Sequence, residues 1–218
     1  AFLHARGFDY SKADRIQTLT VNVNPLLGAA ESAASPTGWR LQSEDGWVIA
    51  ISDDALSLET TRYSSWAYDF RRRLEAALSA LNEIVAPEAE SRLGLRFVDI
   101  ITTPTVRSPG EWRGRISDWL LAPALHSNIG SALTATQQQL SLDLHDGSRA
   151  VLRHGTFMDA ARDGAYTYLL DCDIFRERLL PFDLADIQNT ADRFHLNALS
   201  LFQAMITPEF RDELRNPV

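Results

Sequence analysis

Six polar residues lie in or beside segments whose apolar pattern predicts β-strands. They carry carboxylate, guanidinium or phenol groups, which bind ions, hydrogen-bond partners or exchange protons. A charge on a strand with one buried side must be paired or used, because an isolated buried charge is costly. The candidate binding residues are therefore Glu59, Tyr63, Arg92, Arg96, Asp171 and Asp173.

Strand periodicity groups the candidates of the first half. Residues two apart on a strand point to the same side, so Glu59 shares a side with Tyr63, and Arg92 shares a side with Arg96. The expected consequence is a cross-strand ion pair, Glu59–Arg96 or Glu59–Arg92, which contributes only about 0–1 kcal/mol when exposed. Two interpretations have equal weight: a solvated face held by ion pairs, and a recognition surface that Gly94 opens to close approach.

Asp171 and Asp173 also share one strand face. Two carboxylates placed in this way could bind a divalent cation or act as an acid–base pair. We favour the simpler interpretation, in which they lie on an exposed strand face or pair with arginines such as Arg176 and Arg178. Cys172 lies between them, and we expect a buried, inert thiol because adjacent carboxylates raise its pKa.

Common catalytic and cofactor-binding motifs are not visible in the sequence. None of the 5 histidines is spaced as a metal-binding pair, and His195 lies in a predicted helix where a structural role is expected. The 11 glycines form neither a phosphate-binding loop nor a nucleophile elbow. We therefore predict no catalytic residue, no metal and no cofactor.

The composition also restricts the partners. A net charge of −8 makes a long polyanion such as nucleic acid an unfavoured partner. Lys12 is the only lysine, and the arginine run Arg71–Arg73 is expected on a solvated helix face. The sequence has no run of about eighteen apolar residues and no visible secretory signal, so we expect a cytoplasmic protein with no membrane contact.

Turn signals and apolar periodicity predict the secondary structure. Asp-Gly pairs mark hairpins, because glycine accepts the positive φ of tight turns; they lie at 45–46, 146–147 and 163–164. Apolar residues at helical spacing predict helices over 65–85, 112–121 and 184–206. Small and polar residues over 28–38 predict a mobile loop.

The order strand, Asp-Gly hairpin, strand, helix occurs twice. It predicts an α+β fold of duplicated β-hairpin–β–α units, with mainly antiparallel sheets covered on one face by two long helices. The expected first unit spans 1–105, a connecting segment with a short helix spans 106–131, and the second unit spans 132–218. Together they are expected to form one compact body.

Several motifs resemble a known family. SLETT-x-Y at residues 57–63 and RLGLRF at residues 92–97 are similar to motifs of a sporadically distributed family of uncharacterised bacterial and archaeal proteins. LD-x-D at 170–173 and F-x-x-x-IT at 202–207 resemble the second half of that family. The family has no established activity, so the resemblance assigns no catalytic residue to this chain. Sporadic distribution often accompanies mobile genes, including defence and toxin–antitoxin modules.

The leading functional hypothesis is a non-enzymatic binding protein whose partner is another protein, in an antitoxin-like or defence-associated role. An acidic chain suits a basic partner. The alternative is an enzyme or nucleotide-binding protein that uses the polar sheet face. A weaker hypothesis is nucleic-acid binding through Arg71–Arg73 together with Arg92 and Arg96.

A homodimer is a further hypothesis. Large aromatic side chains that exceed the needs of a small core can cover a subunit interface. Burial in the core is the simpler expectation. The tryptophans concerned are Trp39, Trp47, Trp112 and Trp119.

Overall fold

The structure is a computed structural model that describes residues 2–24 and 29–216. The chain divides into two compact units, Ala1–Pro87 and Glu88–Val218. Each unit contains a four-stranded antiparallel sheet. The predicted α+β class with antiparallel sheets is therefore confirmed.

The first sheet follows the order of the chain, β1-β2-β3-β4. Its strands are β1 (Lys12–Asn24), β2 (Ala29–Gln42), β3 (Trp47–Ser52) and β4 (Leu56–Thr60). The predicted loop over 28–38 is wrong for 29–38, which belongs to β2, and residue 28 lies outside the described residues. Small residues prefer strands weakly, but the ladder with β1 satisfies their backbone groups.

The described part of the first unit has two α-helices. A short helix, α1 (Phe2–Ala5), precedes the first sheet, and a long helix follows it. A π-helical turn, Trp66–Phe70, leads into α2 (Arg71–Ile84), and the Ser65 hydroxyl caps it by accepting from the Tyr68 N–H. The predicted helix is present. Its final apolar residues, Ile84 and Val85, are nevertheless exposed, because the helix buries only its earlier turns.

The second sheet has the order β5-β8-β7-β6. Its strands are β5 (Ala89–Thr102), β6 (Thr136–Asp143), β7 (Arg149–Asp159) and β8 (Ala165–Pro181). β5, expected in the first unit, instead pairs along its length with β8. The predicted Asp-Gly turns join β6 to β7 and β7 to β8, and both glycines have positive φ.

Three helices complete the second unit. They are α3 (Asp118–Leu125), α4 (Leu184–Met205) and α5 (Pro208–Arg215). α3 and α4 pack on the second sheet. Asp183 caps α4 by accepting from two backbone N–H groups, as is typical of an N-cap residue. The helix predicted over 112–121 begins later, because Trp112 ends a 3-10 turn and donates to Thr156 Oγ1 at 2.9 Å.

The two sheets differ in strand order, so the predicted duplication is not confirmed. The last strand of the second sheet lies between its first and third strands, whereas each strand of the first sheet pairs with its neighbour in sequence. None of the helices in the described ranges is long and apolar enough to cross a membrane.

Candidate functional site

The second sheet brings four of the six candidate residues onto one side. β5 pairs with β8, and this pairing places Arg92 opposite Glu177 and Arg96 opposite Asp173. Asp171 lies two residues from Asp173 and therefore points to the same side. This side of the sheet is opposite to the one that packs against α4, where Leu95 and Ile174 are buried.

Each arginine of β5 reaches a carboxylate of β8 diagonally. Arg96 Nε lies 2.7 Å from Asp171 Oδ1, and Arg96 Nη2 lies 2.8 Å from Asp171 Oδ2. Arg92 Nη2 lies 3.2 Å from Asp173 Oδ2, and its Nε lies 3.6 Å from Glu177 Oε1. The Arg96–Asp171 pair is bidentate, the geometry that fixes both side chains most firmly.

Strand β7 adds two further arginines. Arg153 is opposite Asp171 and places Nη1 3.4 Å from Asp171 Oδ2. Arg149 is opposite Phe175 and donates from Nη2 to Glu177 Oε2 at 2.8 Å. We call the combined surface the arginine face; it consists of Arg92, Arg96, Arg149, Arg153, Asp171, Asp173, Phe175 and Glu177.

An aromatic ring lies under two of the guanidinium groups. The Cζ atoms of Arg92 and Arg149 lie 4.8 Å and 5.3 Å from the centroid of the Phe175 ring, within cation–π range. Gly94 is opposite Phe175, and a Cβ there would lie 2.7 Å from Arg92 Nη1. The glycine therefore leaves room for the Arg92 guanidinium to lie over the ring.

The charges of the arginine face are layered. The Asp171 side chain is only 4% exposed, whereas Arg96 is 56% exposed and Arg149 is 60% exposed. Hydrogen bonding to the Asp171 carboxylate raises the pKa of Arg96 above its ordinary value. The two aspartates thus neutralise the interior of the network. The four guanidinium groups form its outer surface together with one carboxylate, that of Glu177, which is 49% exposed.

Apolar side chains continue this side of the sheet toward one end. Val98 and Ile100 follow Arg96 at intervals of two along β5 and are 50% and 64% exposed. Phe157 on β7 points to the same side and is 44% exposed. We call Val98, Ile100 and Phe157 the apolar strip. Exposed apolar groups beside an ordered polar array are typical of binding surfaces.

The other two candidates belong to the first unit. Glu59 is exposed on β4 and accepts a hydrogen bond from the Ser57 hydroxyl. The Tyr63 ring lies edge-on to Phe70 at 6.3 Å, and burial raises the pKa of its phenol, with Asp69 adding to the effect.

The predicted ion pair of Glu59 with Arg96 or Arg92 is wrong. β4 pairs with β3, whereas β5 belongs to the second sheet. Both arginines pair with aspartates of β8 instead.

The expected arginine partners of Asp171 and Asp173 also differ from those found. Arg176 lies an odd number of positions after both aspartates and therefore points to the opposite side of β8, where it pairs with Glu90 and Asp186. The aspartates are paired with arginines, as favoured, but with those of β5 and β7.

The expected solvated run Arg71–Arg73 is wrong at Arg73. Its guanidinium lies 4.6 Å from the Trp47 ring centroid and 4.8 Å from that of Phe8. It also donates to Asp45 and Asp69. Arg72 is exposed, so the helix turn that places it outward rotates Arg73 inward over the aromatic rings.

The thiol and imidazole groups are placed for structure rather than reaction. Cys172 is buried, and burial with Asp171 and Asp173 raises its pKa to about 12. His154 Nδ1 lies 3.0 Å from the Tyr168 hydroxyl in the core. The His195 ring packs near Phe97, in accord with its expected structural role. Among the described residues, no group of three or more His, Cys, Asp or Glu could hold a metal ion.

Half of the arginine face was missed by reasoning from sequence. Arg149 and Arg153 lie four apart on the return strand of an Asp-Gly hairpin, so their common side was predictable. The strand that faces them was not, because β8 inserts between β5 and β7 only in the folded sheet. The missed residues are Arg149, Arg153, Phe175 and Glu177.

Comparison with known proteins found no family model, curated protein or solved structure that matches this chain. The family resemblance carried by residues 57–63 and 92–97 therefore stays a prediction.

Proposed function

We propose that the protein is a binding protein that engages another protein through the arginine face and the apolar strip. The observation that carries this proposal is the strip itself: three large apolar side chains, each at least 44% exposed, beside four ordered arginines. Arginine and aromatic residues are enriched at protein interfaces, and apolar groups there gain by leaving water.

The preorganisation of the arginines supports the proposal. Arg96 and Arg92 are held by carboxylates and by Phe175, so binding would order few additional rotamers. Long side chains that are already fixed lose less entropy when a partner arrives. The same ion pairs explain why the aspartates of this face do not need a catalytic role.

Within this proposal, the finer role is antitoxin-like or defence-associated. It is supported by the resemblance of residues 57–63 and 92–97 to a family with sporadic distribution. It is a role in which binding alone is sufficient for function. Homodimerisation would use the same face, since the exposed Trp39 and Trp119 are single side chains outside it.

The test compares the full chain with surface variants in its own cells. Affinity capture after cross-linking should yield a stoichiometric partner with cross-links to β5 and β7. Val98→Asp with Ile100→Asp should reduce capture about tenfold, since charge in a desolvated interface is costly. Ile84→Asp, which is equally exposed but in the first unit, should leave capture unchanged.

Two results would count against protein binding at this face. One is a strictly solitary monomer in cells and in sedimentation experiments. The other is a partner whose capture is insensitive to Val98→Asp with Ile100→Asp. Self-association that the same double variant abolishes would identify the partner as a second copy of the chain.

A further inference from the structure

We infer that the segment bound at the arginine face is acidic and partly apolar, although the chain as a whole is acidic. This inference rests on the proposed function and adds the chemistry of the partner. The net charge of −8 favours a basic partner. The charges that a partner would meet at this face favour the opposite.

The buried and exposed charges of the arginine face favour an acidic segment. Asp171, at 4% exposure, lies beneath Arg96 and Arg153, so an approaching group meets guanidinium edges before it meets the carboxylate. Asp173 is also largely covered and pairs with Arg92. Glu177 is 49% exposed, but its two oxygens lie against Arg92 and Arg149, so four guanidinium groups surround one outer carboxylate. A partner's charge comes closer to the outer guanidinium groups than to Asp171, and the Coulomb energy falls with distance, so the outer charges dominate.

The arginine face also has N–H donors left for a partner. A guanidinium has five N–H donors in a planar fork. Arg96 uses Nε and Nη2 on Asp171, and Arg153 uses Nε on Gln139 and Nη1 on Asp171. Within the part of the chain that the structure describes, Arg96 Nη1 and Arg153 Nη2 make no hydrogen bond. These donors match the acceptors of an incoming carboxylate.

The apolar strip beside the arginines suits a protein segment better than a nucleic acid. Val98 and Ile100 extend the face with aliphatic side chains, which an Asp- or Glu-containing peptide can cover with its own Leu, Ile or Phe. Single-stranded nucleic acid instead requires exposed rings for stacking and a groove of unpaired positive charge. Here the ring of Phe175 is occupied by Arg92 and Arg149, which leaves the ring of Phe157 for one base rather than a platform for successive bases.

The experiment selects random dodecapeptides displayed on phage against the full wild-type chain, with the Val98→Asp, Ile100→Asp chain as counter-selector. Enriched peptides should combine Asp or Glu with Leu, Ile, Val or Phe. A labelled synthetic copy of the most enriched peptide is then titrated by fluorescence anisotropy. Arg149→Gln should weaken its binding about fivefold, and raised salt should weaken it further.

Arg113→Gln is the matched control, because Arg113 is equally exposed in a single surface ion pair outside the face. It should leave the affinity unchanged. The Arg149 substitution is chosen because its loss leaves Asp171 paired, so the variant should fold normally. Thermal unfolding of both variants checks this.

The outcomes separate this inference from the proposed function. Basic or neutral enriched peptides that still require Val98 and Ile100 would overturn the acidic segment and leave protein binding intact. A selection that enriches nothing would also overturn it, while cellular cross-linking judges the proposed function. Tight binding of single-stranded oligothymidylate, lost in Arg149→Gln, would assign the face to nucleic acid instead.

Discussion

Both units place an arginine against an aromatic ring and pair it with aspartate, but they layer the two charges in opposite ways. In the first unit, Arg73 is only 12% exposed over Trp47, and its partner Asp45 is 54% exposed. In the second unit, Arg92 over Phe175 is 46% exposed and its partner Asp173 only 19% exposed. The neighbouring pair is layered in the same way, with Asp171 buried and Arg96 exposed. The first arrangement presents carboxylate to solvent, and the second presents guanidinium.

This difference teaches that the type of residue does not decide its role. An inward arginine acts as a packing element, since its stem and planar head cover Trp47 and Phe8. An outward arginine on a buried carboxylate is fixed in place while its remaining donors face solvent. The first cluster therefore stabilises the fold, and the second is suited to binding.

The largest expected effect on stability comes from removing Arg96, the bidentate partner of the buried Asp171. Arg96→Ala should lower the free energy of unfolding of the second unit by about 2 kcal/mol, because a buried carboxylate keeps only Arg153 at 3.4 Å. Hydrogen exchange of β5 and β8 measures the change. Arg113→Ala, which removes an exposed surface pair, should change it by less than about 0.5 kcal/mol. Equal effects of the two variants would refute the layering argument.

The next effect tests the inward arginine. Arg73→Ala should lower the stability of the first unit by about 1–2 kcal/mol through lost contact with Trp47 and Phe8. Arg73→Met, which keeps an apolar stem, should recover part of that loss. Asp45→Asn should have a smaller effect, since Asp45 is the exposed partner. Hydrogen exchange of α2 and β3 distinguishes packing from charge: no recovery with methionine would favour charge.

The third expected effect is a difference between the two units in how their stability depends on pH. Burial lowers the pKa of His154 below its ordinary value of 6.5. Below pH 6.5 the unfolded chain binds a proton that the folded chain does not, so stability is complete above that pH and falls as the pH decreases. The decrease for one proton is at most about 1.4 kcal/mol per pH unit. Urea unfolding at several pH values should therefore show a flatter profile for His154→Gln than for the exposed-site control His126→Gln.

The first unit should respond to acid later. Burial raises the pKa of Asp45, but the Ser43 hydroxyl and Arg73 together lower it more, and the net pKa lies below 3.8. A carboxylate with a lowered pKa contributes stability above pH 3.8 that is lost as the pH falls through its folded value. Amide hydrogen exchange measures this difference. If opening of β3 increased together with opening of β7 as the pH fell from 7 to 5, the first unit would not be the later one to respond.

The smallest effect concerns Gly94. Gly94→Ala should lower stability by less than about 1 kcal/mol, because the new methyl group meets only the flexible end of Arg92, at 2.7 Å. The guanidinium should then leave the Phe175 ring. In an Arg92→Ala background the same substitution should have no effect, and a double-mutant cycle by thermal unfolding measures the coupling. An undiminished effect in that background would place the strain in the backbone.

Local features of this chain were predictable, and long-range pairing was not. The Asp-Gly turns at 146–147 and 163–164 and the Asp183 cap depend on residues within a few positions of one another. The Arg96–Asp171 pair joins residues 75 positions apart, and nothing local distinguishes Asp171 from Glu59 as the partner. Parity correctly grouped Arg96 with Arg92, but the strand opposite them depended on how the whole sheet assembles.

Arg73 illustrates a second limit. In the sequence it is one of three consecutive arginines, and such a run on a helix ordinarily faces water. The helix turn, however, carries each successive residue about 100° around the axis, so one member of the run meets the aromatic side chains. Only the position of Trp47 on β3 selects which arginine this is.

The strand order of the second sheet also determines when its strands can pair during synthesis. β5 ends at Thr102, and its partner β8 begins at Ala165, more than sixty residues later on the growing chain. At roughly 5–20 residues per second, β5 waits roughly three to twelve seconds for the strand that completes its ladder. The first sheet pairs only sequence neighbours, so its unit can fold during that interval. During this interval Val98 and Ile100 have already been synthesised while β5 is still unpaired with β8. This is the stage of synthesis at which a chaperone would matter most.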